Sequence, residues 1–232
     1  MATVIAHRGG DEGYPENTLG AFHRALELGA DIVELDCKLT RDGVVVVLHD
    51  HNLKRIWGIP RGVGELDWED LATLSKDGHH VPRLAEVLAA VSLPLMVDVP
   101  GPAVAAASAA EAHRSRAMGR CIFAGHTSGL LHVRGQFPQA RLALSWERTD
   151  PPPAELLSAL APEYFNPHWR LARPDVVTRM HEAGREVSVW TVNQRWLMKR
   201  VLAAGVDAVI TDKVSRLKAH LARAQADLKQ DG

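Results

Sequence analysis

Eight apolar runs of strand length alternate with helical stretches along this chain. Parallel neighbouring strands need a crossover of about a dozen residues, usually a helix, so the alternation favours a parallel sheet. Eight strands predict an α/β fold, the (β/α)8 TIM barrel. A doubly wound open sheet is the alternative, but it does not require eight strands. The predicted strands are Thr3–His7, Asp31–Cys37, Leu95–Val99, Cys121–Ala124, Arg141–Ser145, Tyr164–Asn166, Glu186–Val192 and Ala208–Thr211.

Helices are predicted from amphipathic spacing and from glycines that follow several last turns. They are Glu16–Leu28, Leu84–Val91, Ala103–Met118, Leu130–Phe137, Glu155–Leu160, Val176–Ala183, Trp196–Ala204 and Lys213–Lys229. One strand-like run, Val44–Leu48, breaks the alternation because only a turn at Arg41-Asp42-Gly43 separates it from the preceding strand. That turn is too short for a parallel crossover. The sequence therefore predicts a small β-hairpin excursion after the second strand.

Length and composition narrow the classes of protein further. The 232 residues suit one barrel of roughly 200–250 residues, and no linker interrupts them, so we predict a single domain over residues 1–232. Lys plus Arg total 27 against 28 for Asp plus Glu, which gives no basic excess to suggest nucleic acid as a partner. With two cysteines, no signal-peptide pattern and no apolar stretch near the roughly 20 residues of a membrane span, we expect a cytoplasmic protein without a transmembrane segment.

Acids and histidines cluster at predicted strand ends within the first fifty residues. Glu34 and Asp36 are two apart on one strand, so their carboxylates share a face and repel unless a cation lies between them. His7 and His49 each end an apolar run. Active sites of barrels gather at the carboxyl ends of the strands, and the hairpin can return His49 to that rim. The pattern indicates metal-assisted acid–base chemistry.

Short motifs occur in a characteristic order along almost the whole chain. They are His7-Arg8-Gly9, Pro15-Glu16-Asn17-Thr18, Glu34-Leu35-Asp36, Thr40-Arg41-Asp42-Gly43, His49-Asp50, Val81-Pro82, Gly184, Val189-Trp190-Thr191-Val192-Asn193 and Gly205-Val206-Asp207 followed by Thr211-Asp212. In these motifs the chain resembles the glycerophosphodiester phosphodiesterases, a family of the phospholipase-C-like phosphodiesterases. The resemblance implies hydrolysis of a small glycerophosphodiester to glycerol 3-phosphate and an alcohol, through attack of the neighbouring glycerol hydroxyl and a cyclic phosphate.

The resemblance also implies roles for particular residues. In the family a Glu, an Asp two residues later and an acid on a later strand hold a divalent cation, which places Mg²⁺ or Ca²⁺, with Mn²⁺ as a further candidate, on Glu34, Asp36 and Asp98. Two histidines of the family act as general acid and base, and an arginine contacts the phosphate. The corresponding residues are His7, His49 and Arg8.

Two positions depart from the family pattern. The third acid lies in Asp98-Val99-Pro100 where the family usually has Glu-x-Lys, and Gly125-His126 occupies the place of an expected Ser-Phe pair. The lost lysine charge would face the phosphate. Candidate replacements are Lys38, which shares a strand face with the two acids, His126 and Arg170.

Two further substrate contacts are predicted, and the departures leave other functions open. We expect Asn166 to line the pocket and Trp190 to wall it beside the glycerol carbons, so that the predicted substrate-binding residues are Arg8, Lys38, His126, Asn166 and Trp190. The lost lysine leaves two alternatives to the standard activity. One is a phosphodiesterase acting on a lysophospholipid or another diester, and the other is a non-catalytic barrel that binds a phosphorylated ligand.

Overall fold

The strands close into a barrel in the computed structural model, which describes residues 1–230 and their side chains through residue 226. The strands are β1 (Thr3–Ala6), β2 (Ile32–Leu39), β3 (Val45–Val47), β4 (Leu95–Asp98), β5 (Cys121–Gly125), β6 (Arg141–Trp146), β7 (Tyr164–Pro167), β8 (Glu186–Val189) and β9 (Ala208–Thr211). Their order is β1-β9-β8-β7-β6-β5-β4-β2, all parallel, and the pairing of β1 with β2 closes the ring. Closure confirms the (β/α)8 barrel and excludes the open sheet. The prediction of one domain over residues 1–232 stays a prediction, and its last two residues lie outside the described part.

Helices follow the strands around the barrel. They are α1 (Leu19–Glu27), α2 (Lys54–Trp57), α3 (Trp68–Ala72), α4 (Leu84–Ala90), α5 (Pro102–Arg114), α6 (Thr127–Gln136), α7 (Ala154–Leu160), α8 (Pro174–Glu182), α9 (Arg195–Ala203) and α10 (Val214–Gln230). The first predicted helix was placed too early, since Thr18 caps α1 by accepting a hydrogen bond from Ala21 N at 3.3 Å. Within residues 1–230, no helix combines the length and the apolar character that crossing a membrane requires.

The predicted hairpin excursion is confirmed. β3 pairs antiparallel with β2, with Cys37 opposite Val47 and Lys38 opposite Val46, and β3 has no other strand neighbour among the described residues. The segment after β3 also contains the two short helices α2 and α3, which the sequence analysis did not predict. Its apolar side chains form a separate buried cluster, against which the half-buried Trp57 and Trp68 pack.

Each barrel strand is buried on both faces, which explains its nearly continuous apolar sequence. One set of side chains, including Ile5, Met96 and Ile210, fills the barrel interior. The alternate set, including Val97 and Phe123, packs outward with the helices. Polar residues therefore appear where the strands leave this core, and the chemistry is concentrated at their carboxyl ends.

Gly9 lies where the chain passes closest to α1. It ends a short 3₁₀ turn, His7–Gly9, with φ of +87°, and a Cβ placed on it would lie 2.7 Å from the Cβ of Ala21. Gly9→Ala is expected to lower the free energy of unfolding by at least about 1–2 kcal/mol, because it adds left-handed strain to a steric clash. Urea denaturation measures this change. Gly64→Ala is the control, since nothing lies within 4 Å of its added Cβ, and an equal loss in both variants would contradict the prediction.

Candidate active site

A cavity of about 310 Å³ opens at the carboxyl ends of the barrel strands. Its floor consists of residues from the barrel interior, among them Met96 and Ile210. With the exception of Lys38, every residue singled out above as catalytic, metal-binding or substrate-binding lines this cavity. The topology thus brings together side chains that are up to almost two hundred residues apart in the sequence. Their roles remain predictions, and their geometry follows.

His7 is held by a carboxylate that the sequence analysis did not assign to the site. Its Nδ1 lies 2.6 Å from Asp212 Oδ1, and the other oxygen of Asp212 accepts a hydrogen bond from Asn193 Nδ2 at 2.5 Å. Burial opposes ionisation of Asp212, but the hydrogen bond and the charge of His7 outweigh it, so the pKa of Asp212 is lowered. Asp212 therefore stays ionised and orients the ring, which leaves Nε2 of His7 free for proton transfer.

His49, which lies in the excursion after β3, also has a carboxylate partner. Its Nδ1 lies 2.8 Å from Asp50 Oδ1. Hydrogen bonds from Arg55 are the largest cause lowering the pKa of Asp50 to about 2, and the bond with His49 adds to them. The His49 side chain is 44% exposed whereas that of His7 is 17% exposed. The two histidines therefore present one free nitrogen each, one near the rim and one deeper in the cavity.

A chain of alternating charges connects the two sides of the site. Arg8 Nη1 donates to Glu16 Oε1 at 3.1 Å, and Arg55 donates to both oxygens of Glu16 at 2.6 and 3.0 Å. Burial opposes ionisation of Glu16, but both arginines together lower its pKa. Glu16 thus precedes α1 and links Arg8 to the Arg55–Asp50 pair beside His49. The sequence placed Glu16 inside the helix and gave no indication of this contact.

Three carboxylates lie together on β2 and β4. Asp36 is the parallel-register neighbour of Asp98, and Glu34 shares the Asp36 face of β2. Burial raises the pKa of Glu34 well above its ordinary value, and the charges of Asp36 and Asp98 raise it further. Burial, followed by the charge of Asp36, raises the pKa of Asp98 to about 7. The charge of Asp36 therefore destabilises the ionised forms of both Glu34 and Asp98.

Positive and polar groups partly compensate this cluster. Arg8 N donates to Glu34 Oε2 at 2.9 Å, and Asn17 Nδ2 donates to Asp36 Oδ2 at 2.8 Å. Arg8 Nε is 3.0 Å from the same Asp36 oxygen, but without the alignment of a hydrogen bond. Among the described residues, no three His, Cys, Asp or Glu side chains are already arranged to coordinate a metal. The chemistry of the donor set nevertheless fits a hard cation, because its oxygens are buried and mutually repulsive.

Lys38 lies beside the acid cluster rather than in the cavity. It is buried on β2, and its charge lowers the pKa of the neighbouring Asp98, in opposition to the larger effect of burial. His126, in contrast, lines the cavity directly. Arg170 lines an adjacent cavity, so the three candidate replacements for the lost lysine occupy three different places.

The two departures from the family pattern meet in space. Gly125 has φ of +152°, and a Cβ on it would lie 2.6 Å from the carbonyl oxygen of Val99. Val99 precedes Pro100, the residue that replaces the family lysine. The serine expected at position 125 would therefore collide with the backbone of the altered segment, so the two changes are sterically linked.

Asn166 connects several residues of one cavity wall by hydrogen bonds. Its Oδ1 accepts from Ser188 Oγ at 2.8 Å, and its Nδ2 donates to Ser145 Oγ at 3.3 Å. Its backbone oxygen accepts from Trp190 Nε1 at 3.1 Å, which fixes the indole ring. Asn166 thus holds the wall in addition to lining the cavity. Ser145 and Glu147 also line this side, and the sequence analysis gave neither of them a role.

Fold and cavity together define a (β/α)8 barrel with a polar site at the carboxyl ends of its strands. The sequence matches the Glycerophosphoryl diester phosphodiesterase family over residues 7–216, and the chain belongs to this family. The sequence resemblance and the prediction of a phosphoric diester hydrolase are thereby confirmed. Like the other members, the chain is a hydrolase of glycerophosphodiesters.

Individual relatives agree with this assignment over most of the chain. A glycerophosphodiester phosphodiesterase of Caldanaerobacter subterraneus is 29% identical over 90% of this chain and 93% of its own length. The phosphodiesterase of Oleispira antarctica, solved in complex with sn-glycerol-3-phosphate, superimposes with a TM-score of 0.88 at 23% identity, covering 95% and 96% of the two chains. A human lysophospholipase D is 54% identical over a segment covering 28% of this chain and 21% of that protein.

Proposed function

We propose that the cavity hydrolyses glycerophosphodiesters to glycerol 3-phosphate and an alcohol by histidine acid–base catalysis through a cyclic phosphate. The observation that carries the proposal is the pairing of His7 with Asp212 and of His49 with Asp50 within one cavity that Arg8 also lines. A histidine whose Nδ1 is held by a carboxylate presents a second nitrogen of defined orientation for proton transfer. The proposal also agrees with the bound product of the Oleispira antarctica relative.

The proposed chemistry requires two proton transfers in each half of the reaction. The glycerol hydroxyl next to the diester attacks phosphorus, one histidine takes its proton, and the other protonates the departing alcohol oxygen. In the second half water attacks the cyclic phosphate, one histidine removes a proton from the water, and the other protonates the released glycerol oxygen. Arg8 binds the phosphate oxygens and opposes their negative charge.

The acid cluster belongs to the same proposal. Glu34, Asp36 and Asp98 would hold a divalent cation, Mg²⁺ or Ca²⁺ with Mn²⁺ as a further candidate, because all their donors are carboxylate oxygens. When bound, the cation would neutralise phosphate charge and acidify the attacking hydroxyl. Lys38 is proposed to balance the charge of these acids, and Trp190 to cover the carbon side of the glycerol.

The direct test is glycerol 3-phosphate release by purified, metal-stripped protein. The substrates are glycerophosphocholine and glycerophosphoethanolamine, and Mg²⁺, Ca²⁺ or Mn²⁺ is added back in turn. Release is expected only with an added cation, since without one the charges of the diester and of the three carboxylates are compensated only in part. Equal release in the presence of a chelator would contradict the metal requirement. Absence of release with every cation, from folded protein, would contradict the proposed activity.

Lysophospholipid hydrolysis is the second candidate function. It is favoured by the local identity with a lysophospholipase D and by Pro100 in place of the family lysine. Lysophosphatidylcholine is compared with glycerophosphocholine at equal concentration, below the critical micelle concentration of the lipid. A higher kcat/KM for the lysophospholipid would establish this function in place of the first. A cytoplasmic location stays a prediction in either case.

A further inference from the structure

A second cavity of about 490 Å³ adjoins the first. The two share Glu147 and Trp190, which form the boundary between them. The remaining wall of the second cavity includes His168 and Arg170, from the segment that follows β7. A diester whose phosphate lies in the first cavity can therefore place one of its two arms across Glu147 and Trp190 in the second.

Glu147 differs from the other acids near the mouth of the first cavity in its side-chain contacts. The other acids near the cavity mouth are engaged, Asp50 and Glu16 with Arg55, and Asp212 with His7. Glu147 is exposed and has no hydrogen bond or ion pair with any residue that the structure describes, and the adjacent Arg148 pairs with Asp150 at 2.7 Å instead.

The Glu147 carboxylate at the mouth of the cavity affects the binding of a charged substrate. The cavity takes an anionic phosphodiester, and an unpaired negative charge beside it opposes binding of that anion. The repulsion is converted into attraction when the substrate itself carries a cation at the same place. Glu147 therefore fits a substrate with a positive charge on the arm that leaves the first cavity.

The second cavity has two aromatic rings on its wall, His168 and Trp190, in addition to Arg170 and Leu171. The edge of His168 meets Trp190 at a ring-centroid distance of 5.5 Å, and Nδ1 of His168 accepts a hydrogen bond from Arg170 N at 3.4 Å. Burial and then the charge of Arg170 lower the pKa of His168, which favours the uncharged imidazole here. The Arg170 guanidinium also lines this cavity and lies over the Trp169 ring, 5.1 Å from its centroid, so that part of its charge is engaged by that ring. An ammonium group gains from both a carboxylate and aromatic faces.

We propose that the second cavity is the subsite for the leaving alcohol, and that Glu147 selects alcohols that carry an ammonium group. The inference rests on the proposed function, because it places the alcohol that the proposed reaction releases. Ethanolamine and choline esters belong to this chemical class, and glycerol esters do not. Glu147 acts on specificity and not on the proton transfers.

The test compares kcat/KM for glycerophosphoethanolamine and glycerophosphoglycerol, the second of which has a neutral leaving alcohol. In Glu147→Gln the ratio of the two values is expected to fall by roughly two- to fivefold, the range for one solvent-accessible ion pair. Glu147→Lys is expected to lower the ratio further, because it places a repulsive charge at the same point. Glu155→Gln removes the same charge from an exposed position outside both cavities and is expected to leave the ratio unchanged.

The outcomes separate the two levels of inference. If wild type hydrolyses both diesters and Glu147→Gln keeps their ratio, the subsite is wrong while the proposed function stands. If Glu155→Gln lowers the ratio equally, the effect is one of overall charge, and the subsite is also wrong. If wild type releases glycerol 3-phosphate from neither diester, the proposed function fails and the subsite fails with it. Thermal melting of each variant checks that its fold is retained.

Discussion

Replacing either His7 or His49 by alanine is expected to eliminate measurable glycerol 3-phosphate release while the protein remains folded. Each general acid or base contributes about 10²–10⁴-fold, and both proposed half-reactions need both residues. The fold is expected to survive because His7 and His49 lie at the cavity and outside the buried apolar clusters. His7 leaves behind Asp212, whose other oxygen keeps its hydrogen bond from Asn193.

The measurement is kcat/KM for glycerophosphocholine at saturating cation, together with thermal melting. His132→Ala is the matched control, because His132 is exposed on α6 and does not line the cavity. It is expected to retain wild-type kinetics. If His7→Ala and His49→Ala both stay within tenfold of wild type, neither histidine carries a proton in the rate-limiting steps, and the acid–base assignment is wrong.

The barrel was predictable because its signals are local and repeated. A strand buried on both faces requires a continuous apolar run, and a parallel neighbour requires a crossover. The run from Val44 to Leu48 was predictable as a hairpin for the same reason, since its connection is too short to be anything else. Helix ends were less accurate. Thr18 competes with Glu16 as the residue that starts α1, and the choice depends on contacts that Glu16 makes with two arginines from elsewhere.

The candidate site was predictable where it follows from strand ends. The prediction of Glu34 and Asp36 required only the two-residue period of a strand. The prediction of Asp98 required only its place at the end of the next barrel strand. Asp212 was harder, because its role depends on closure of the ring, which brings β9 beside β1 and puts Asp212 against His7. Glu147 carries no signal in the sequence. Its significance depends on the two cavities that meet beside it and on the ion pair of Arg148 with Asp150.

Asp98→Asn is expected to stabilise the metal-free protein at neutral pH and to abolish its activity. The folded structure raises the pKa of Asp98 from an ordinary value of 3.8 to about 7, through burial and then the charge of Asp36. A raised carboxyl pKa means that folding favours the protonated form. The stability that this group contributes is therefore fully present below about pH 4 and is lost as the pH rises through 7. Asparagine has no charge to bury, so the variant does not suffer this loss.

The measurement is the free energy of unfolding in a chelator between pH 5 and pH 8. The advantage of Asp98→Asn over wild type is expected to grow with pH, by on the order of 1 kcal/mol per unit below pH 7 and less above it. Asp50 and Asp212 have lowered pKa values and lose their contribution as the pH falls, but they are present in both proteins, so the difference reports Asp98 together with the effect of its charge on Glu34. Asp70→Asn, at an exposed position, is expected to show no such trend.

Addition of the cation is expected to reverse this order. A ligand that binds only the folded state stabilises it in proportion to the logarithm of its concentration above Kd. Wild type therefore gains stability in Mg²⁺ or Ca²⁺, while Asp98→Asn gains less, because it has lost one of the three donors. A constant difference across pH, or equal stabilisation of both proteins by the cation, would contradict the assignment of Asp98 to a metal site. Asp98→Asn is thus expected to be more stable than wild type without the cation and to gain less stability from the cation. These opposite effects distinguish an acid retained for function from one that stabilises the fold.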